Sequence, residues 1–462
     1  MTSQGNAVEP MVTHVMGTGF EDLPAAAVEA AKIFVLDTFS CALAGSTGPS
    51  SDEALTAAQL WGTGDGARVW ARPDRLPPTS AAVVNAYQIH CLEFDCVHEG
   101  GVLHPMSTLM AATMAEVDRQ AGLGRKINGR DLIRAIAMGI DVSCSIATSS
   151  NAPMRFFRPA LTGGFGATTA VSLLRGFDGP QLHNALGLYY GQAGGNMQAH
   201  IEGSRLLGLQ VGFGARNALV ACDLADAGIE GPKDILTGMY GYLVLMEGDY
   251  DLEPAWSQWG KVFRLCEVGH KPFPSGRLTH FAVDALQRLT AEHGFTADDV
   301  QTVTCRVPPL ANRLVGRPDI PNPQPNYAKL CLGYVCATTL LNGTVTQHDF
   351  AIDALANETT HDLARRVTVI EDENPDLNAF GPQSMTVVLK DGTEHSLTIE
   401  RAIGDPLNPL PRDRQLEKFW ACWSAAKSEM PRARGEALIG MIEQLETLDD
   451  TAVLVDHVCP AT

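Results

Sequence analysis

The sequence is short of positive charge. Its 462 residues include 34 Lys and Arg against 53 Asp and Glu, which gives a formal net charge of −19. Nucleic acids and membrane surfaces are polyanionic and attract basic patches, so this balance argues against both as partners. It does not exclude a small anion that binds in a local basic pocket.

Targeting and membrane-spanning segments are missing as well. Residues 1–20 lack the basic stretch followed by an apolar stretch that a signal peptide requires. No run approaches the ~18 uninterrupted apolar residues of a transmembrane helix. The 11 cysteines are scattered and odd in number, which is typical of reduced thiols. We therefore expect a cytoplasmic protein without membrane contacts.

The common catalytic signatures are absent: there is no Walker A, Gly-x-Ser-x-Gly or His-Glu-x-x-His pattern. The glycines around Gly163–Gly166 lack the strand–turn–helix context of a dinucleotide-binding loop. Potential metal ligands crowd one segment, but their spacings match no standard zinc pattern. These ligands are His90, Cys91, Asp95, Cys96, His98 and His104. We therefore expect no cofactor and no metal.

What is present is a long helical region. Pro24 suits a first helical turn, apolar residues then form one stripe, and Gly45 provides a C-terminal stop. Alanine-rich segments separated by glycines continue to about Met246, and their small residues favour closely packed helices. The pattern predicts one large all-helical domain.

The pattern changes after Lys271. Val300–Val307 alternates, with Val303, Cys305 and Val307 on one face, and Asp391-Gly392 joins two further short runs as a hairpin would. A continuous helix is predicted over residues 327–341. We predict a mainly α protein: a helical domain over 11–268, a smaller α+β domain over 269–402, and C-terminal helices over 403–462 that return to the first domain. No flexible linker is visible, so we expect a fixed cleft between the domains.

Two polar segments stand out as candidate site elements. Residues 93–105 hold Asp95, His98 and His104 in one loop between helices, enough to supply a general base, although such side chains also cap helices. The turn at Lys271, stiffened by two prolines and followed by Arg277, falls where the two domains should meet. A lysine there would bind a carboxylate or take up a proton if burial lowers its pKa.

Three further segments are weaker candidates. Arg158 beside a Gly-rich helix start resembles a carboxylate clamp, with a solvated turn as the alternative. Glu202 and Arg205 are spaced as an ordinary surface ion pair. Tyr334 near the start of a helix would donate a hydrogen bond to an enolate, although core packing explains it better when the residue is taken by itself.

Taken in order, these segments resemble the MmgE/PrpD family over nearly the whole chain. The residues that carry the resemblance are Leu36-Asp37 to Ala44-Gly45, Glu93-Phe94-Asp95 to His104-Pro105, Gly163–Gly166, Glu202-Gly203-Ser204, Lys271–Ser275 with Thr279-His280, Tyr334 with Leu341-Asn342-Gly343, and Gly404–Pro409. The family includes 2-methylcitrate dehydratase, cis-aconitate decarboxylase and iminodisuccinate epimerase.

The resemblance implies a two-domain fold, a homodimer, no obligatory cofactor and proton transfer next to a carboxylate of a small di- or tricarboxylate. It implies catalytic roles for Asp95, His104, Lys271 and Tyr334. We expect the substrate to be held by a second set, namely Arg158, Arg205, Arg277, His98 and Glu202.

Three positions depart from the family pattern. Leu207 stands where decarboxylase- and dehydratase-like members tend to carry a lysine, Arg158 precedes Pro159 where a His is frequent, and Gly276 replaces a decarboxylase His. The expected function is a dehydratase-type lyase, in which His104 is the base, oriented by Asp95. An epimerase and a non-catalytic metabolite-binding protein are the alternatives. In each case we expect a basic pocket in an acidic molecule.

Overall fold

The computed structural model describes residues 6–460 and confirms a mainly α protein with a smaller α+β part. The helices of the N-terminal part are α1 Val8–Gly17, α2 Ala25–Gly45, α3 Ser51–Gln59, α4 Pro78–His90, α5 Pro105–Gly122, α6 Gly129–Thr148, α7 Arg158–Leu174, α8 Gly179–Tyr190, α9 Gln198–Glu202, α10 Leu206–Asp226 and α11 Glu253–Trp256. Helices α4, α5, α6, α7 and α10 pack side by side at its centre.

Small residues allow these central helices to approach closely, as the sequence predicted. A β-carbon on Gly166 of α7 would lie only 2.3 Å from the carbonyl oxygen of Gly139 in α6. A β-carbon on Gly139 would in turn lie 2.7 Å from the carbonyl oxygen of Gly166. The two backbones therefore touch at a point where no larger residue fits.

The α+β part follows a short connecting segment. Its helices are α12 His280–His293, α13 Pro309–Val315, α14 Pro325–Lys329, α15 Leu332–Asn342 and α16 Glu358–Ala364. The strands of the whole chain are β1 Ala67–Arg68, β2 Arg75–Leu76, β3 Val97–His98, β4 Val268–Gly269, β5 Val300–Val307, β6 Val367–Glu371, β7 Gln383–Leu389 and β8 Glu394–Ile399. Helices α12 and α15 pack against the largest sheet.

That sheet has the order β6-β5-β7-β8, with β5 and β6 parallel and the other pairs antiparallel. The predicted alternation in β5 is confirmed, since Val303, Cys305 and Val307 are buried. The predicted hairpin is confirmed too: β7 pairs with β8, and Gly392 in the turn has a φ of 87° that favours glycine.

One predicted helix is interrupted. The sequence indicated a continuous helix over 327–341, whereas α14 ends at Lys329 and α15 begins at Leu332. Between them Cys331 is extended and forms a backbone bridge with Gly316. This tertiary hydrogen bonding replaces one helical turn.

The C-terminal helices are α17 Arg412–Ser424, α18 Arg432–Glu443 and α19 Ala452–Val458, and α17 packs lengthwise on α2. The loops around them bond to the helical part as well, since the Gly129 amide donates to the Leu448 carbonyl. Within the described residues, no helix combines the length and apolar character needed to cross a membrane.

Candidate active site

The loop that leaves α4 carries the densest group of acid–base side chains. Its Glu93 has a φ of 53° and Val102 a φ of 52°, so two residues with β-carbons adopt the left-handed region. Such conformations cost about 1–3 kcal/mol each and persist only where the surroundings enforce them. Here the Glu93 carboxylate is turned inward, and its residue is buried.

Glu93 forms an ion pair across the junction between the two parts of the chain. The Lys271 ammonium donates to Glu93 Oε2 over 3.3 Å, and His90 Nε2 lies 3.5 Å from Oε1. Burial raises the pKa of Glu93, but the charges of Lys271 and His90 outweigh it and hold that pKa well below its usual range. Glu93 is therefore a carboxylate, and Lys271 is completely buried beside it.

The tautomer of His104 is fixed by the backbone. Its Nδ1–H donates to the carbonyl oxygen of Cys96 over 2.9 Å, because a carbonyl can only accept. Burial lowers the pKa of His104, and this outweighs the opposing charge of Asp95. The imidazole is therefore neutral, with a free lone pair on Nε2, which lies 3.8 Å from Glu93 Oε2. This is the state that a general base requires.

Asp95 is engaged with His90 more closely than with His104. Both its carboxylate oxygens lie 3.1 Å from His90 Nδ1, against 3.5 Å between Oδ2 and His104 Nδ1. Burial lowers the pKa of His90, but Asp95 and Glu93 raise it above its ordinary value. The His90 ring thus lies between two carboxylates, with Nδ1 facing Asp95 and Nε2 facing Glu93. His104 is oriented by the Cys96 carbonyl, which lies closer to its Nδ1 than Asp95 does.

These side chains also form the one group of the described residues that has the composition of a metal site. His90, Asp95 and His104 can bring one ligand atom each within 4.8 Å of one another. Both Nδ1 atoms already have partners within this group or on the backbone, namely Asp95 and the Cys96 carbonyl. The same contacts serve a proton-transfer network.

A small, partly open cavity of about 70 Å³ lies beside His104, between the helical and the α+β parts. Its polar lining consists of Glu93, His104, His200 and Arg277. Its apolar lining comes from both parts: Val97, Val102, Met154, Phe157, Pro159, Leu278, Leu314, Val315, Leu330 and Phe380. The cavity therefore presents acid–base groups on one side and hydrocarbon on the other.

Buried ionic contacts hold the Lys271 turn in place. Strand β4 pairs with β3 of the His104 loop, and the next amide, that of His270, donates to the Gly404 carbonyl over 2.7 Å. Asp37 of α2 accepts from His270 Nε2 over 2.8 Å and from the Lys418 ammonium over 2.6 Å. Burial opposes the charge of Asp37, but these two partners lower its pKa to about 2.

Several predicted substrate-binding cations are already committed to other groups. Arg158 forms a buried ion pair with Glu247 and also donates to the Gly101 carbonyl. Arg277 lines the cavity, but it donates to Glu99 over 2.7 Å and to the Ile403 carbonyl over 2.7 Å. Since Lys271 is paired with Glu93 as well, the expected basic pocket is a set of ion pairs, not a region of free positive charge.

The remaining predicted residues lie away from the cavity lining. His98 Nε2 binds Glu267 over 3.0 Å, and its Nδ1 accepts from the Gly101 amide, so it stabilises the loop. Arg205 donates to Ser50 and borders a separate surface pocket. Glu202 is exposed and bonded to Gln198.

Tyr334 is also outside the cavity lining, because its side chain packs among other residues of the α+β part. Its hydroxyl donates to the Asp349 carbonyl over 2.8 Å, and its ring packs near Phe350 and His361. Burial raises the pKa of Tyr334 further above its ordinary value. Core packing, the alternative that the sequence left open, describes these contacts.

Sequence reasoning gave no role to Glu93, His90 or His200, although all three stood in segments that it singled out. The sequence feature common to these residues was the density of polar side chains around them, and that density does not show which carboxylate faces inward. Nothing in the sequence pointed to Lys329. It is buried, it donates to the Cys91 carbonyl over 2.8 Å, and burial lowers its pKa to about 8.

The structure defines a class of protein in which a helical part and a smaller α+β part enclose acid–base groups beside a cavity at their junction. Comparisons with known proteins identify the family to which it belongs. The MmgE/PrpD N-terminal domain model matches residues 9–255 and the C-terminal domain model residues 273–444. Together these matches cover most of the sequence. The chain belongs to the MmgE/PrpD family.

Curated relatives extend over the same length. Cis-aconitate decarboxylase of Mus musculus is 26% identical, over 92% of this chain and 88% of its own. Cis-aconitate decarboxylase of Aspergillus terreus (strain NIH 2624 / FGSC A1156) is 26% identical, over 95% and 93%. A probable 2-methylcitrate dehydratase of Saccharomyces cerevisiae is 27% identical, but over only 29% of this chain and 27% of its own.

Proposed function

We propose that this protein is a lyase of the dehydratase type, acting on a small tricarboxylate by removing a proton next to a carboxylate. The observation that carries the proposal is the fixed tautomer of His104, which leaves the Nε2 lone pair beside the cavity. Family membership and the relatives with tricarboxylate names support the substrate class.

In the proposed reaction His104 Nε2 takes the proton from the carbon next to a substrate carboxylate. Negative charge then develops on that carboxylate. Lys271 lies outside the cavity lining beside Glu93, and its ammonium charge stabilises the developing charge from there. Such fixed charges are usually the largest contribution in reactions of this kind. The hydroxyl group on the neighbouring carbon takes up the proton now held by His104 Nε2 and leaves as water, so that an alkene is formed and the imidazole is neutral again. Glu93 holds Lys271 in position throughout.

Two positions favour dehydration over decarboxylation. Gly276 lines the cavity where a decarboxylase would have a His, and a β-carbon there would lie 2.8 Å from Leu330 Cδ2, so a side chain at this position would have to displace that of Leu330. Leu207 is 2% exposed and brings no charge. Decarboxylation is the second candidate, and the full-length decarboxylase relatives are the observation in its favour.

The first experiment follows citrate, 2-methylcitrate and cis-aconitate in D₂O by NMR with the purified protein. We expect loss or addition of water together with deuterium next to a carboxylate. Release of CO₂ would establish the decarboxylase instead, and deuterium exchange with inversion but without loss of water or CO₂ would establish an epimerase. Binding in a thermal-shift assay without any exchange would contradict catalysis altogether.

The catalytic assignments are tested with His104→Ala and Lys271→Ala. We expect turnover to fall by about 10²-fold or more in each, because each removes a group that acts in the transition state. His183→Ala is the matched control, since His183 is a buried histidine bonded to the Lys233 carbonyl and is not part of the cavity lining. Near-normal turnover in both site variants would show that the reaction occurs elsewhere.

A further inference from the structure

His200 is a cavity residue without a role in the mechanism above. It belongs to the short helix α9, is 6% exposed, and lines the cavity together with Glu93 and His104. In the part of the chain that the structure describes, the hydrogen bond to the His200 ring is made at Nδ1 and none is made at Nε2. A buried ring thus has one nitrogen left for whatever occupies the cavity.

The other ring nitrogen of His200 is held by Arg317, which comes from the α+β part. Arg317 Nη2 donates to His200 Nδ1 over 3.1 Å, and Nη1 donates to the His200 carbonyl oxygen over 3.1 Å. The guanidinium also donates to the Leu314 carbonyl and lies over the Tyr327 ring at 4.9 Å. These four contacts, made with His200, Leu314 and Tyr327, hold the Arg317 side chain in place.

This arrangement fixes the protonation of His200. A guanidinium has donors only, so Nδ1 must be the acceptor and the ring proton must sit on Nε2. Two charged groups face the ring: Arg317 disfavours the imidazolium and Glu93 favours it. Burial and Arg317 prevail and lower the pKa of His200 to about 3, so the ring is neutral.

His200 and His104 are therefore opposite tautomers around one cavity. His104 presents a lone pair at Nε2 because its Nδ1–H is bound to Cys96, whereas His200 presents an N–H at Nε2. One nitrogen can take a proton while the other donates a hydrogen bond. A neutral donor suits an oxygen on which charge develops, because it keeps its own proton.

We propose that His200 is a catalytic residue whose Nε2–H donates to the substrate carboxylate next to the reacting carbon, and that Arg317 is its positioning residue. The assignment rests on the proposed function of the same cavity. His200 then supplements Lys271, and the α+β part contributes to catalysis through Arg317.

The kinetic test compares His200→Phe, which keeps a ring but has no donor, with His200→Gln, whose amide N–H lies at a similar reach. We expect kcat on the tricarboxylate that wild type turns over to fall about 10²-fold in H200F, with a smaller change in KM. H200Q should recover at least a tenth of wild-type kcat. His183→Phe controls for the loss of a buried histidine. Equal activity of H200F and wild type would overturn the proposal.

A second measurement needs no substrate. In ¹⁵N-histidine-labelled wild type, His200 should show an unprotonated Nδ1 and a protonated Nε2 from pH 5 to pH 8. Arg317→Met should remove this preference, so that the ring titrates closer to its ordinary range. A wild-type His200 with the proton on Nδ1 would overturn the proposal even if the enzyme is active. If wild type turns over no acid, the proposed function fails, and the catalytic role of His200 fails with it.

Discussion

At the scale of single residues, the site depends on which atom of each histidine carries the proton. The Cys96 carbonyl decides this for His104, Asp95 for His90 and Arg317 for His200. Imidazoles of one chemical type thereby acquire different states. Glu93 is the anion that connects them, because its charge acts on His90, His104 and His200.

Glu93→Gln tests this connecting role. Burial and the charges of Lys271 and His90 lower the pKa of His104, whereas the charges of Asp95 and Glu93 raise it. Removing the charge of Glu93 should therefore lower the pKa of His104 and move the acid limb of the kcat/KM profile to lower pH. We also expect kcat to fall by about 10²-fold, since Lys271 loses its partner.

Glu116→Gln is the control for E93Q. Glu116 is also buried and ion-paired, with Arg119 and Arg175, but it lies in α5 outside the cavity lining. This variant should lose stability while its acid limb stays in place. An identical profile in E93Q and wild type would contradict the electrostatic link between Glu93 and His104.

At the scale of elements, the turn at Lys271 is positioned by three separate pieces of chain. Helix α2 supplies Asp37, α17 supplies Lys418, and strand β3 pairs with β4 directly before His270. The returning C-terminal helices thus contribute to the site through α17. Lys418 also donates to the Phe94 carbonyl, so one ammonium joins α17 to the loop of Glu93 and Asp95.

The Asp37 contacts predict a particular acid sensitivity. The folded pKa is about 2 against an ordinary value of 3.8, so the ionised carboxyl stabilises the native state above pH 4. That stabilisation should be lost as the pH falls from about 4 to 2, an effect of roughly 2 kcal/mol. Urea unfolding at several pH values measures it.

Asp37→Asn should be less stable at pH 7 and should lack this part of the pH dependence. Asp52→Asn is a suitable comparison, because Asp52 forms ion pairs with Arg72 and Lys427 at an exposed position. It should change stability by less than about 1 kcal/mol. If D37N keeps the full acid dependence of wild type, other carboxyls must be its source.

At the scale of the whole molecule, the cavity is too small for its proposed ligand. A volume of about 70 Å³ holds about five water-sized probes, whereas a six-carbon tricarboxylate has about a dozen non-hydrogen atoms. The lining comes from both parts of the chain, with Phe157 on one side and Leu314 on the other. A ligand of this size must therefore extend beyond the cavity or displace part of its lining.

Amide hydrogen exchange with and without saturating cis-aconitate tests this expectation. We expect the segments 151–157 and 310–317, which line the cavity from opposite sides, to become more protected when the ligand bridges them. Helix α18 lies outside the cavity lining and should be unaffected. Binding without any change in the two segments would show that the ligand occupies another site. The predicted homodimer and the cytoplasmic location are separate questions, for sedimentation and fractionation.

The sequence predicted local features well because nearest-neighbour chemistry sets them. The hairpin at Asp391-Gly392, the alternation of Val300–Val307 and the small-residue helices each follow from steric preferences within a few residues. The helix over 327–341 was predicted without its break, because the bridge between Cys331 and Gly316 joins distant segments. In the site too, local features were predicted and contacts between distant segments were not.

The sequence alone determined the family, the mainly α architecture and the two polar segments with His104 and Lys271, because composition and motif order are local properties. Only the tertiary structure decided that Glu93 faces inward, that Arg158 and Arg277 are neutralised by Glu247 and Glu99, and that Tyr334 lies in a core. The charge of a side chain is known from the sequence, but the residue with which it forms an ion pair is not. In an acidic protein of net charge −19, buried cations are stabilised by carboxylates from distant segments, and folding alone brings those together.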